Sequence, residues 1–82
     1  ITQGMFQVSV LIEARNTPGV LASISTSIGQ AGSNIETVAQ PESNPEISTL
    51  LFTISVRDRD HMASVLRRLR RNTDVLRTHR VG

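Results

Sequence analysis

The sequence predicts a ferredoxin-like α+β sandwich of order βαββαβ, a four-stranded antiparallel sheet with two helices on one face. Three observations carry that prediction. Two stretches alternate apolar and polar residues with the period of a strand, Met5–Ala14 and Ile47–Arg57. Two others repeat apolar residues at helical spacing, beginning at Val20 and at Met62. Proline, glycine and asparagine then punctuate the chain between them. Right-handed crossovers put both helices on the same side of the sheet, with strand order 4-1-3-2.

In the first strand Phe6, Val8, Val10 and Ile12 share one face, opposite Gln7, Ser9 and Glu13, with Leu11 out of pattern. The six residues Asn16-Thr17-Pro18-Gly19-Val20-Leu21 form the elbow into the first helix. Thr17 precedes a proline and is steered away from helical dihedrals, which suits an N-cap. Pro18 then fits the first helical position, and Gly19 falls in the first turn. A glycine there permits close approach to the backbone, and a helix N-terminus attracts an anion such as a carboxylate. The competing reading is a tight turn with no ligand. Val20, Leu21, Ile24, Ile28 and Ala31 make the helix's apolar face, with Ser23, Thr26, Ser27 and Gln30 opposite. Gly32 suits a left-handed C-cap.

Asn34–Gln40 reads as a short second strand, Ile35, Thr37 and Ala39 alternating against Asn34, Glu36 and Val38. Pro41–Glu46 is the hairpin loop. Ile47–Arg57 is the strongest strand, with Leu50, Phe52, Ile54 and Val56 on one face. Asp58 and Asp60 precede the second helix, the right sign of charge for its N-terminus. Its stripe is Met62, Val65, Leu66 and Leu69; Arg67 and Arg71 point away from it, and Arg68 and Arg70 flank it. Val75–Val81 is a weak last strand, with Val75, Arg77, His79 and Val81 on one face.

Composition narrows function. With 82 residues and no cysteine, the chain is one small domain without disulfides, thiolate zinc sites or cysteine nucleophiles. No apolar run approaches the roughly 20 residues of a membrane span. The first residue, Ile1, suggests a piece of a longer protein, and a soluble, cytoplasmic setting is the expectation. His61 and His79 lie apart from any carboxylate cluster, and the serines have no adjacent base, so neither a metal site nor catalysis is expected. No cofactor is implied.

Charge is uneven along the chain. Residues 1–60 hold three arginines against six acids, a balance of −3, whereas residues 61–82 hold six arginines against Asp74 alone, +5. All nine basic residues are arginine, which pairs bidentately with phosphate or carboxylate. Arg67, Arg68, Arg70 and Arg71 can contact RNA phosphates without sequence preference, or they form a solvated helix face. RNA stacking on the sheet is disfavoured, since the only aromatics, Phe6 and Phe52, fall on the apolar faces that point at the helices.

A strand followed by Asn16-x-Pro18-Gly19-Val20-Leu21, an Ile-rich helix, and Gly32-x-Asn34-Ile35 opening the next strand resembles the ACT domain. That family comprises small ligand-binding or interaction modules appended mainly to enzymes of amino-acid metabolism, and the resemblance covers about residues 6–81. Phe52–Val56, Asp58-Arg-Asp60-His61-Met62, Val65-Leu66, Leu69, Val75 and Arg80 further resemble the C-terminal ACT domain of RelA/SpoT-type (p)ppGpp synthetase/hydrolases. Met62 stands where leucine is usual in that family, and Thr78 where valine is usual.

This likeness implies a non-catalytic regulatory module whose parent, a GTP pyrophosphokinase acting in the stringent response, makes and hydrolyses alarmone elsewhere. Asn16, Thr17, Pro18, Gly19, Val20, Leu21, Asn34 and Ile35 match positions lining the amino-acid site of ligand-binding ACT domains. The implied partners are a second copy in a homodimer, other domains of the parent, the ribosome or its RNA, and a small amino acid. A second reading, an amino-acid effector domain of a biosynthetic enzyme, stays open; the arginine-rich second half favours the first.

Overall fold

The two strongest alternating stretches form the centre of the sheet. In the computed structural model, which describes residues 5–81, β1 (Phe6–Arg15) pairs antiparallel with β3 (Ile47–Val56) from Phe6 opposite Val56 to Arg15 opposite Ile47. Ile1, on which the reading of a longer parent rests, lies outside the described residues. β2 (Asn34–Ser43) flanks β3, and β4 (Val75–Arg80) flanks β1, giving the order β2-β3-β1-β4, all antiparallel. Helices α1 (Val20–Gln30) and α2 (Arg59–Arg71) supply the crossovers. This is the expected 4-1-3-2 sandwich.

The core follows the two periods. Val8, Val10, Ile12 and Ala14 of β1 and Leu50, Phe52, Ile54 and Val56 of β3 are all buried. They face Val20, Ile24 and Ile28 of α1 and Met62, Val65 and Leu69 of α2, with Leu66 packed at the margin. Phe6 keeps its register opposite Val56 but is 43% exposed, so the expectation that both aromatics are covered holds for Phe52 alone. Leu21, placed with the apolar face by spacing, is 45% exposed. It lies next to Val20, and a 100° step per residue carries it off the buried stripe. Among the described residues, no helix is long and apolar enough to cross a membrane.

Both helix junctions are built from local chemistry. At the end of α1, Gly32 takes φ 80°, and Ser33 and Gly32 donate to the carbonyls of Ile28 and Gly29. That pair of bonds is a Schellman motif, so the predicted left-handed stop is present. At the start of α2, Asp58 is the N-cap, and its carboxylate accepts from the His61 N–H at 2.8 Å. Asp60 lies inside the first turn rather than before the helix.

The edge strands depart from simple alternation. β2 runs three residues beyond Gln40 to Ser43, so Pro41 is in the strand rather than in the hairpin loop. Proline is tolerated because β2 is an edge and its register slips between Ala39 and Glu42. A second slip at Glu36 puts Ile35 opposite Ile54 and Val38 opposite Phe52, so these two share a face that alternation had divided. In β4 the slip falls at Leu76, which moves Val75 (opposite Ala14) onto the face of Thr78 and Arg80, away from Arg77 and His79.

Candidate functional site

The elbow is a turn before it is a helix. Val20 N–H donates to the Thr17 carbonyl at 3.2 Å, and Gly19 has φ 81° and ψ 4°. With Pro18 and Gly19 at its centre, this is a type II β-turn, whose third residue requires positive φ. Gly19, not Thr17, is therefore the N-cap, and Pro18 precedes the helix instead of starting it. The glycine is needed for its dihedral. Close approach is also permitted, since a Cβ built there would meet nothing within 4 Å. Among the described residues no side chain caps this end of α1, so of its first-turn N–H groups those of Leu21 and Ala22 are left to solvent or a ligand.

Asn16 through Gly19 are exposed but held on both sides. Asn16 N–H donates to the Glu46 carbonyl at 3.0 Å, and its side-chain Nδ2 donates to the Asn44 carbonyl at 2.6 Å. Asn44 in turn accepts from Glu46 and Ile47 N–H through Oδ1, which tightens the hairpin. Arg15 N–H donates to the Asp74 carbonyl just before β4. The elbow thus sits between the β2–β3 hairpin and the entrance of β4.

Asn34 and Ile35 are not part of this group within one chain. They follow the other end of α1, and 11 helical residues at 1.5 Å each put roughly 16 Å between them and the elbow. Asn34 donates to Glu36 Oε2 at 2.9 Å, and Ile35 is half-buried against the core. The Ser55 hydroxyl also donates to Glu36, at 2.7 Å. These two bonds, that from Ser55 foremost, hold the Glu36 carboxyl below its ordinary 4.5 despite a small opposing desolvation.

The four arginines in the last two turns of α2 divide. Arg67, Arg68 and Arg71 surround, with Ser64, a hollow of about 230 Å³ on the outer side of the helix. Arg68 is steadied by the Gln30 amide oxygen at 3.3 Å. Arg70 turns instead toward β4 and lines a second hollow of about 290 Å³ with Val75, Leu76, Arg77 and Thr78. Spacing on α2 could not disclose Arg77 and Thr78 as its companions; the only hint was their place in the basic half of the chain. Arg67, Arg68, Arg70 and Arg71 are all exposed.

His61, set aside at the sequence level for want of partners, is 4% exposed. Its Nδ1 accepts from Arg57 N–H at 3.0 Å, which leaves Nε2 to donate to the Ala31 carbonyl at 2.8 Å. The ring ties the end of α1 to the start of α2. The spacing Asp58-x-x-His61 was the available signal, because it matches an N-cap and its third-position N–H. Asn72 makes a similar tie at the other end, donating to Ser23 Oγ at 2.8 Å.

A family model described as the ACT domain matches residues 2–80. The bifunctional (p)ppGpp synthase/hydrolase SpoT of Escherichia coli K12 is 28% identical over 75 residues, 92% of this chain. This chain spans only 11% of that relative's length. The crystal structure of the ACT domain from GTP pyrophosphokinase of Chlorobium tepidum superposes with a TM-score of 0.80 at 22% identity, covering 95% of this chain and 100% of that one. The acetolactate synthase small subunit of Thermotoga maritima also gives 0.80, at 19% identity, over 94% of this chain and 48% of that one. At such identities the two solved structures show a shared fold.

Proposed function

The chain belongs to the ACT domain family, and from that premise we propose that it is the regulatory module of a bifunctional GTP pyrophosphokinase and (p)ppGpp hydrolase of the stringent response. Its part in such a parent, of which the 82 residues form one domain, is to report ribosome state through contact with RNA and neighbouring domains. One observation carries this reading beyond the likeness to SpoT. Arg67, Arg68 and Arg71 surround one hollow while Arg70 opens toward β4, so guanidinium groups cover both exposed sides of α2's last two turns. Apart from the Arg68–Gln30 bond, no side-chain hydrogen bond among the described residues engages these four arginines, and phosphates would.

The test is association of the full-length parent with ribosomes across a salt series. Replacing Arg67, Arg68, Arg70 and Arg71 with glutamine lowers affinity and flattens the dependence of log K on log salt by up to about 3, at roughly 0.7 per single-stranded phosphate contact. Unchanged affinity and slope would remove RNA contact from the function.

The open elbow favours a second reading, an amino-acid site completed by a second copy. Asn16 ties the elbow to the end of β2, whereas Asn34 and Ile35 lie at its start. If two β2 edges pair antiparallel, the start of one strand meets the end of the other. The two halves of the expected site then come together across a homodimer. Val38, 42% exposed on the helix-side register of β2, and Leu21 on α1 supply uncovered apolar surface for that contact. Titration with branched-chain and other amino acids should then shift the amides of both Asn16–Leu21 and Asn34–Ile35; shifts in neither segment would leave the elbow a structural turn.

A further inference from the structure

Both helices pack on one face of the sheet, and among the described residues nothing covers the other. Register lays that open face out in rows across the strands, in the order β2, β3, β1, β4. Ala39, Leu51, Leu11 and His79 form one row. Glu42, Thr49, Glu13 and Arg77 form the row beside it. Leu11 and Leu51 lie side by side at the centre and are half-buried, whereas Ala39, Glu42, Arg77 and His79 at the two margins are exposed. The face therefore has an apolar middle, a carboxylate at one margin and a guanidinium group at the other.

We propose that this open face binds the same face of a second copy, about a two-fold axis running along the strands between β3 and β1. That rotation lays β3 of each copy over β1 of the other, and β2 over β4. Leu51 then meets the partner's Leu11, and the small Ala39 gives room to the partner's His79. Glu42 meets the partner's Arg77, and because the contact is isologous each of these matches occurs twice. A two-fold axis across the strands would instead set Glu42 over the partner's Thr37, which lies opposite Thr53, and Arg77 over the partner's Val81, which lies beside Ser9. No charges pair in that arrangement.

Stacked sheets lie about 10 Å apart, a gap that leucines fill from both sides and that a glutamate and an arginine together span. The Ser9 and Thr53 hydroxyls on this face already bond each other at 3.3 Å, which lowers the cost of covering them. Three ten-residue strands and a shorter fourth give a footprint of roughly 600 Å² per copy, at about 4.8 Å per strand and 3.4 Å per residue. The pair thus buries an area at the lower end of specific interfaces, so the dimer forms at high concentration and is not permanent. The amino-acid reading uses the outer edge of β2 and this contact uses the sheet face, so the two stand independently.

The experiment is sedimentation equilibrium of the 82-residue chain carrying Val38→Arg, which removes pairing through the β2 edge. This chain should still form a dimer at high concentration. Glu42→Arg and Arg77→Glu, each added alone, should weaken that dimer at least about tenfold, because each sets like charges opposite one another at two places. Mixing the two variants in equal amounts should restore association, since each supplies the charge that the other lacks. Both positions are exposed, so each variant should keep its fold by circular dichroism. In NMR, raising the concentration should shift the amides of Ser9–Glu13 and Thr49–Thr53 and spare those of α1 and α2. A monomer at every concentration, or a mixture that associates no better than its components, would overturn the proposal.

Discussion

The two edges of the sheet are opposites. The β2 edge carries Glu36 and Glu42, with Glu46 in the adjoining hairpin, and no basic residue; β4 carries Arg77 and Arg80 beside the α2 arginines. Both edges are bulged, which blunts open-ended strand addition. They differ in what is left uncovered. On the acidic side it is apolar surface, Val38 and Leu21; on the basic side it is mostly guanidinium around two hollows. A charge imbalance along the chain has become a polarity across the sheet, because β2 and β4 are the two outermost strands. The proposed edge-paired homodimer contact falls on the acidic side, and the proposed phosphate contacts on the basic side.

The sharpest way to probe that contrast is a pair of apolar substitutions, one under each side. Leu69 is fully buried beneath the arginine-bearing turns of α2. Leu69→Ala should cost about 2–5 kcal/mol of stability by opening a cavity, measured by denaturant unfolding. Val38→Arg on the acidic edge should change the stability of the monomer by no more than about 0.5 kcal/mol. In sedimentation it should nonetheless abolish self-association through the β2 edge, since a charge there opposes pairing. Equal losses of stability in both variants would erase the distinction between the two sides.

The elbow, held by the hairpin on one hand and the β4 entrance on the other, gives an intermediate effect. Gly19→Ala meets no neighbouring atom, so its cost is the left-handed dihedral alone, about 1–2 kcal/mol. For a domain of this size each kcal/mol lowers the melting temperature by roughly 4–8 °C. A gain in stability would mean that the turn is not type II in solution.

The smallest effect belongs to Glu36 on the acidic edge. Its carboxyl titrates below the ordinary value of 4.5 in the fold. The stability it contributes is present above the unfolded-state value and is lost as pH falls through the lower folded one. Unfolding measured between pH 5 and pH 3 should show that loss, and Ser55→Ala, which deletes the strongest bond to the carboxylate, should reduce it. A Glu36 titration by NMR that stays at its ordinary value would remove the effect.

Sequence alone determined the architecture. Strands β1 and β3 lie at the centre with one covered face, so alternation survives intact, and the stripes Val20–Ile24–Ile28 and Met62–Val65–Leu69 name the helix faces that cover it. Gly32 could be read as a stop because helix termination is local. The elbow was legible as a place but not as a geometry: whether Thr17 or Gly19 caps α1 depends on a hydrogen bond from Val20 and on how Asn16 is held by the hairpin. The edge strands were legible least. A single extra residue, at Glu36 or Leu76, reverses the facing of everything beyond it, and an edge with one neighbour has too little burial to keep the pattern regular. The same reason hid the companionship of Arg70 with Arg77 and Thr78, which are close only because the crossover from α2 returns the chain alongside β1. Residue type and period specify what must be buried; which exposed groups become neighbours is decided by the fold, because no burial pattern in the sequence records it.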